Sequence, residues 1–375
     1  MHIKIQLLLL FVLIFNLNAQ VIKETTSPDG WILQTKTGKV VPVLTGANNA
    51  DCDVRMIWSG APHNAFTDII RYNNQFFCAF REGSAHIPGL TGTNGKIRVL
   101  VSADGDVWKS HALLGKNGYD LRDSKLSITP KGKLMMVMGG SVYNGKQLIS
   151  RLPHISFFDD KKAAFSDPAP IKIDKKVQSD NDWLWSVNWN YKSKTAYGVL
   201  YQSINKSTTK AHLLKTKDGK KYRLVSTLGI DNMPTEATVT FNDKNEMLIL
   251  LRCDQKDNNM GLLGKSVSPY EVWNWKNVGV RLGGPNIIPF ENGKYIVGTR
   301  SFDNNNQPKT SLFIYDETPG NLNKMFDLPS GGDTSYPGML IYDDHLWVSY
   351  YASHEGKAQI YLAKISLNKI KSHIK

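Results

Sequence analysis

The chain has 375 residues, a formal net charge of +13 from 46 Lys and Arg against 33 Asp and Glu, and three cysteines. Three cysteines make no disulfide framework, no Cys or His spacing matches a zinc site, and no basic helix or aromatic-basic stripe marks nucleic-acid binding. The lysine excess reads as a solvated surface or as attraction to an acidic partner, for which an anionic polysaccharide fits an exported protein better than nucleic acid.

The N-terminus reads as an export signal over residues 1–19. His2 and Lys4 form a short polar start, Leu7 to Phe15 an unbroken apolar run, and Leu17-Asn18-Ala19 a peptidase site. The run is too short to span a bilayer as a helix of about 20 residues. No cysteine follows it to carry a lipid, and no later stretch approaches membrane length. The expectation is a soluble periplasmic or extracellular protein without integral membrane association, its residues 20–375 forming a single domain.

Beyond the signal, helical periodicity is almost absent. Short runs rich in Val, Ile, Leu and aromatics recur, among them Phe76–Phe80, Ile97–Ser102, Leu134–Met138, Ala196–Tyr201, Met247–Leu251, Tyr295–Thr299 and Leu346–Tyr351. Turn residues such as Asn73-Asn74, Asp243-Lys244-Asn245 and Glu291-Asn292-Gly293 precede several of them. Many short strands with hairpin turns predict an all-β fold. Cys78 and Cys253 fall in apolar strand contexts and read as core residues.

A weak internal repeat narrows the architecture. Ser102-Ala103-Asp104-Gly105-Asp106-Val107-Trp108 is echoed by Thr216-Lys217-Asp218-Gly219-Lys220-Lys221-Tyr222, with decayed copies over Ser156–Phe165 and Ser266–Trp275. The Asp bonds turn amides, the Gly takes a positive φ, and the aromatic folds back on the hairpin. Such units repeated around an axis predict a six-bladed β-propeller of four-stranded antiparallel blades, about 59 residues each.

These turns resemble the Asp-boxes of the sialidase (neuraminidase) superfamily, one residue shorter. The later chain resembles it further. Glu236-Ala237-Thr238-Val239-Thr240-Phe241 leads through a turn to a strand ending in Arg252, Arg300 ends another strand, and Tyr336 stands in Thr334-Ser335-Tyr336 on a Gly- and Pro-rich loop. The resemblance implies an exo-glycosidase in which Tyr336 is the nucleophile, Glu236 its base, and Arg252 and Arg300 hold a substrate carboxylate.

The first half departs from that pattern. Laying Phe80-Arg81-Glu82 on the family's Phe-x-Glu puts Ala65, in His63-Asn64-Ala65-Phe66-Thr67-Asp68, where the first clamp arginine belongs. Arg81 or Arg55 would have to complete the clamp. The family's catalytic aspartate is also missing, and His86 is the nearest titratable replacement, with an intrinsic pKa suited to donating a proton. His63, Asp68, Arg81 and Glu82 complete a candidate substrate-binding cluster. Asp120-Leu121-Arg122-Asp123 and the Trp183–Trp189 segment offer further pocket material.

The expected activity is therefore release of a terminal, acidic sugar from a glycan, with no metal or other cofactor. Two alternatives stay open. One is a polysaccharide lyase in which His86 or Tyr336 abstracts the proton beside a uronate carboxylate; the other is a glycan-binding propeller without catalysis.

Overall fold

The computed structural model describes the backbone of residues 22–26, 31–36, 43–46 and 52–374 except 319, and side chains from residue 53 onward. The predicted export signal lies outside the described residues. Six antiparallel sheets form the blades of a propeller, as the repeat predicts. The innermost strands, in chain order, are His63–Tyr72, Asp120–Ile128, the interrupted pair Asp182–Leu184 and Asn188–Asn190, Pro234–Phe241, Asn286–Pro289 and Ser335–Tyr342.

The inner strands of a blade face two neighbouring blades, so both of their faces are buried and period-two alternation disappears there, while the outermost strands stay largely exposed. Met247–Leu251 shows this: all five side chains are fully buried. Met247, Ile249 and Leu251 pack with Val199 and Leu213 of the third blade, while Leu248 and Leu250 pack with Val297 and Phe313 of the fifth. One apolar cluster fills each of the six interfaces between blades. Each fully buried Leu or Ile contributes roughly 1.5–3 kcal/mol, so the stability comes from these wedges. Cys78 and Cys253 belong to them as buried free thiols.

The last blade closes the ring. Its strands Ser335–Tyr342, His345–Ala352 and Gln359–Ser366 come from the C-terminal end, and its fourth, Cys52–Trp58, comes from the N-terminal side. Ile22–Thr26, Trp31–Lys36 and Val43–Gly46 continue the same sheet outward. A helix, Leu367–Ser372, follows; Ser366 caps it and Ile370 anchors it in the core.

The repeated turns fall where the sequence places them, on equivalent hairpins between the third and outermost strands. The Asp104 carboxylate accepts from the amides of Asp106 and Val107 at 2.8 and 3.0 Å, and Asp218 does the same for Lys220 and Lys221 at 2.8 and 2.9 Å. Gly105 and Gly219 take φ of 83° and 71°. The decayed copy at Asp159 keeps the contacts to Lys161 and Lys162. These turns lie at the end of the blades opposite Glu236, Arg252 and Tyr336.

Candidate active site

Tyr336 is the second residue of its strand and has a left-handed φ of 55°, with a register slip between Ser335 and Gly338 against the neighbouring strand. The slip turns the ring toward the propeller axis. The Tyr336 carbonyl accepts from Thr67 Oγ1 at 2.8 Å, and Ser335 Oγ donates to the Gly283 carbonyl. Trp185 and Phe66 pack the ring, each at 4.9 Å between centroids. Its hydroxyl donates to Glu236 Oε1 at 2.5 Å, joining residues 100 apart in the chain.

Glu236 Oε2 accepts from Arg252 Nη1 at 2.9 Å and from the Gly284 amide at 2.7 Å. Burial alone would push this carboxyl up, but Arg252, the Tyr336 hydroxyl and Gly284 outweigh it and hold it below the usual range. Burial drives the Tyr336 phenol well above its ordinary value, and the negative charge of Glu236 adds to this. The resting pair is thus a neutral phenol donating to an ionised carboxylate.

The arginines divide into two kinds. Arg252 is held by Glu236 and by Asp254, each at 2.9 Å. Arg81 is fully buried and grips Asp120 through Nε at 3.0 Å and Nη2 at 2.6 Å, while Arg122 binds the same carboxylate at 2.7 Å. Gly83 and Gly95 leave room for the Arg81 guanidinium, since a Cβ at either would lie 2.6 or 2.2 Å from it. Arg300 is different: its Nη1 reaches only the Thr334 carbonyl at 3.4 Å, and it has no carboxylate partner among the described residues. Arg55 pairs with Asp53 and Asp106 on the outer part of the closing blade and takes no part in the pocket.

Across the ring from Glu236 stands a cluster that only partly follows the sequence expectation. His63 Nε2 lies 2.9 Å and His86 Nδ1 2.8 Å from Asp333 Oδ2, and Tyr351 donates to Asp333 Oδ1 at 2.8 Å. Burial would push the Asp333 carboxyl up, but these donors hold it far below its ordinary value. The His86 ring meets Phe66 edge-on at 5.1 Å and is half exposed. The ligand atoms of His63, His86 and Asp333 lie within 4.8 Å of one another, a set with the donor types of a metal centre.

Asp123 was legible only as pocket material, yet its carboxyl is strongly perturbed, in the direction opposite to Asp333. It is buried, has a φ of 55°, and its Oδ1 has no hydrogen-bond partner. Burial pushes its pKa up to about 7; Glu236 pushes the same way, and Arg122, Lys125 and His86 oppose. Asp123 therefore keeps its proton close to neutrality. The charged run Asp120-Leu121-Arg122-Asp123 was the only signal for it.

Two of the predicted binding residues are not brought to this pocket. Glu82 turns to the other face of its strand, accepting from Trp58 Nε1 at 2.6 Å and pairing with Arg98 at 3.0 Å. Asp68 accepts from the Leu126 amide at 2.7 Å and lines an axial cavity of about 150 Å³ further along the inner strands, with Lys125, Ser186, Thr238 and Asn286. Arg81 and His63 reach the site only as buried supports. In the Trp183–Trp189 segment, Trp185 alone touches Tyr336, while Trp183 packs over Gly139 and Trp189 joins an interface cluster.

No protein-family profile and no curated sequence matches the chain. Its structure is similar to that of a Dyadobacter fermentans protein of unknown function, with a TM-score of 0.72 and 16% identity over 85% of this chain and 98% of that one. It is also similar to Trypanosoma rangeli sialidase in complex with sialic acid, at TM-score 0.61 and 10% identity over 94% of this chain and 60% of the sialidase. A GH93 α-L-arabinofuranosidase of Fusarium graminearum in complex with arabinobiose gives TM-score 0.60 and 14% identity, covering 82% and 94%. The chain thus spans well under two thirds of the sialidase but nearly all of the other two. With these neighbours and its six radial blades, the protein has the sialidase-like six-bladed β-propeller fold.

Proposed function

We propose that the protein is an exported exo-glycosidase that releases a terminal, acidic sugar from a glycan through a tyrosine nucleophile. The observation that carries this reading is the contact between Tyr336 and Glu236, a buried phenol seated on an ionised carboxylate. A phenol with a raised pKa is a poor nucleophile unless a base takes its proton as it attacks, and Glu236 is placed to do so. A tyrosine paired with a carboxylate carries one negative charge fewer than two carboxylates, which suits an anionic sugar.

In this reading Arg300, the pocket guanidinium without a carboxylate partner, takes the carboxylate of the sugar, with Arg252 beside it. Asp123 donates a hydrogen bond to the sugar while it keeps its proton. His86 is the acid that protonates the leaving oxygen and the base that later activates water. A purely glycan-binding propeller would have no need of a carboxylate beside the phenol, so the Tyr336–Glu236 contact counts against that alternative.

The test is a glycan-release screen read by mass spectrometry and ultraviolet absorbance, with wild-type and Tyr336→Phe protein. The expected result is a released, saturated acidic monosaccharide, with turnover falling at least ~1,000-fold in Tyr336→Phe. Removing one hydroxyl should change stability by only about 1 kcal/mol. An unsaturated uronate product would indicate the lyase chemistry instead. Full activity of Tyr336→Phe would remove Tyr336 from the chemistry.

A further inference from the structure

We infer that Asp333 is the positioning residue of an acid/base pair with His86, and that the buried Arg81–His63 couple sets which ring nitrogen of His86 exchanges the proton. The inference rests on the reading of His86 as the acid/base, and goes beyond it by assigning the hydrogen-bond chain that makes the role work.

Arg81 is the one group in this hydrogen-bond chain whose protonation is fixed by its chemistry. A guanidinium only donates. Arg81 Nη1 lies 3.5 Å from His63 Nδ1, so that nitrogen presents its lone pair to Arg81 and the proton of His63 sits on Nε2. Nε2–H then donates to Asp333 Oδ2 at 2.9 Å. Arg81 cannot turn away, because Asp120 grips it on one side and the Ala85 carbonyl accepts from its Nη1 at 2.9 Å. Asp333 is thus fixed as an acceptor of His63, of Tyr351 and, at 2.8 Å, of His86 Nδ1.

Two consequences follow. His86 carries a proton on Nδ1 in every charge state, so its Nε2 is the nitrogen left to exchange one. The same tautomer argument counts against a metal at His63, His86 and Asp333: ligation by His63 Nε2 would move the proton to Nδ1 and set it against the Arg81 guanidinium. The other charged groups around His86 are Arg122, whose Nη2 binds the His86 carbonyl at 3.0 Å, and Asp123.

The proton balance is closed by these residues. In the first half, the Tyr336 oxygen bonds to the anomeric carbon, its proton passes to Glu236, and the glycosidic C–O bond breaks as the His86 imidazolium gives its Nε2 proton to the leaving oxygen, which leaves a neutral ring that keeps Nδ1–H. In the second half, His86 Nε2 takes a proton from water while that water attacks the anomeric carbon, and the departing Tyr336 oxygen recovers its proton from Glu236. Asp333 stays ionised throughout and holds the ring while its charge is lost in the first half and regained in the second.

Long-range ¹H–¹⁵N correlation spectra of the histidine rings, recorded from neutral to alkaline pH so that the neutral forms are seen, test this directly. The expected spectrum shows neutral His86 protonated on Nδ1 and neutral His63 protonated on Nε2. In Asp333→Asn the His86 tautomers should mix, and kcat should fall at least ~30-fold while KM stays within about threefold. A His63→Gln variant, which leaves Asp333 and His86 in place, should lose less, and thermal unfolding of each variant shows whether it is folded. His86 protonated on Nε2 alone in the wild type, or wild-type kcat in Asp333→Asn, would overturn the inference while leaving the Tyr336 reading intact. Stoichiometric binding of Zn²⁺ that moves both histidine spectra would overturn it too. Full activity of Tyr336→Phe, by contrast, would remove the nucleophile reading without touching the tautomer result.

Discussion

Asp123 and Glu236 are two buried carboxyls within electrostatic reach of each other, and their surroundings push them in opposite directions. Glu236 has three donors and stays ionised; Asp123 Oδ1 has none and keeps its proton. The consequence for stability has a definite sign. The native carboxyl of Asp123 titrates at about 7 instead of 3.8, so between those values the unfolded chain holds fewer protons there and stability falls as pH rises. The full shift corresponds to at most about 4 kcal/mol. Asp123→Asn removes this titration, so its Tm relative to wild type should rise from pH 4 to pH 7.5, followed by differential scanning calorimetry. A constant difference across that range would show that Asp123 is ionised in the native protein. Tyr336, Glu236, Arg252 and Arg300 were singled out in the sequence by their resemblance to the sialidase order, at or near the ends of apolar runs. Asp333 was not: it lies three residues before Tyr336 in a Gly-rich loop, where an aspartate reads as a turn former.

The inner strands of three blades share one local irregularity. Phe66, Asp123 and Tyr336 have φ of 65°, 55° and 55°, and each sits where its strand slips register against the next. The slips fall between Ala65 and Asp68, opposite Arg122 to Lys125, and between Ser335 and Gly338. A left-handed conformation at a bulky residue costs of order 1–3 kcal/mol and persists only where packing over-determines it. Here it aims a ring, a carboxyl and a phenol at the axis. The Asp-Gly turns were legible because their hydrogen bonds are local. These bulges were not, because local preference opposes them and the contacts that hold them span up to 282 residues, as between Ser349 and Thr67. Gly284 belongs to the same construction: with φ of 60°, it donates to Glu236, and a Cβ there would lie 2.6 Å from the Tyr336 ring. Gly284→Ala should therefore destabilise the protein by about 1–3 kcal/mol and lower kcat more than it raises KM. Unchanged steady-state kinetics would mean that the loop does not set the Tyr336–Glu236 geometry.

At the scale of the whole molecule, ring closure places residues from across the chain around one axis. Arg55 to Trp58 pair with Ile360 to Leu362, which locks the first blade against the last and brings His63 and His86 to Asp333. The order of Glu, Arg, Arg and Tyr was readable along the chain because each comes from a strand end facing the same end of the propeller. Where the resemblance places a first clamp arginine, the fold has Ala65 and Phe66, both fully buried, with the Phe66 ring against Tyr336. The charge of +13 would attract the proposed anionic glycan at long range, an attraction that salt screens within a Debye length of about 8 Å at physiological ionic strength. KM for an acidic glycan should therefore rise several-fold between 20 and ~150 mM salt with kcat unchanged. A KM indifferent to salt would leave the lysines as a solubilising surface.

The most direct test of the central claim, a tyrosine nucleophile activated by Glu236, is to trap the glycosyl–enzyme bond. A fluorinated analogue of the released sugar with a good leaving group slows both steps and lets the intermediate accumulate. The account predicts that intact-mass spectrometry shows one added glycosyl unit and that peptide mapping places it on Tyr336. The adduct should be absent from Tyr336→Phe and form slowly in Glu236→Gln. A label on Glu236 or Asp123, or turnover of the sugar with no covalent species at any time, would contradict it.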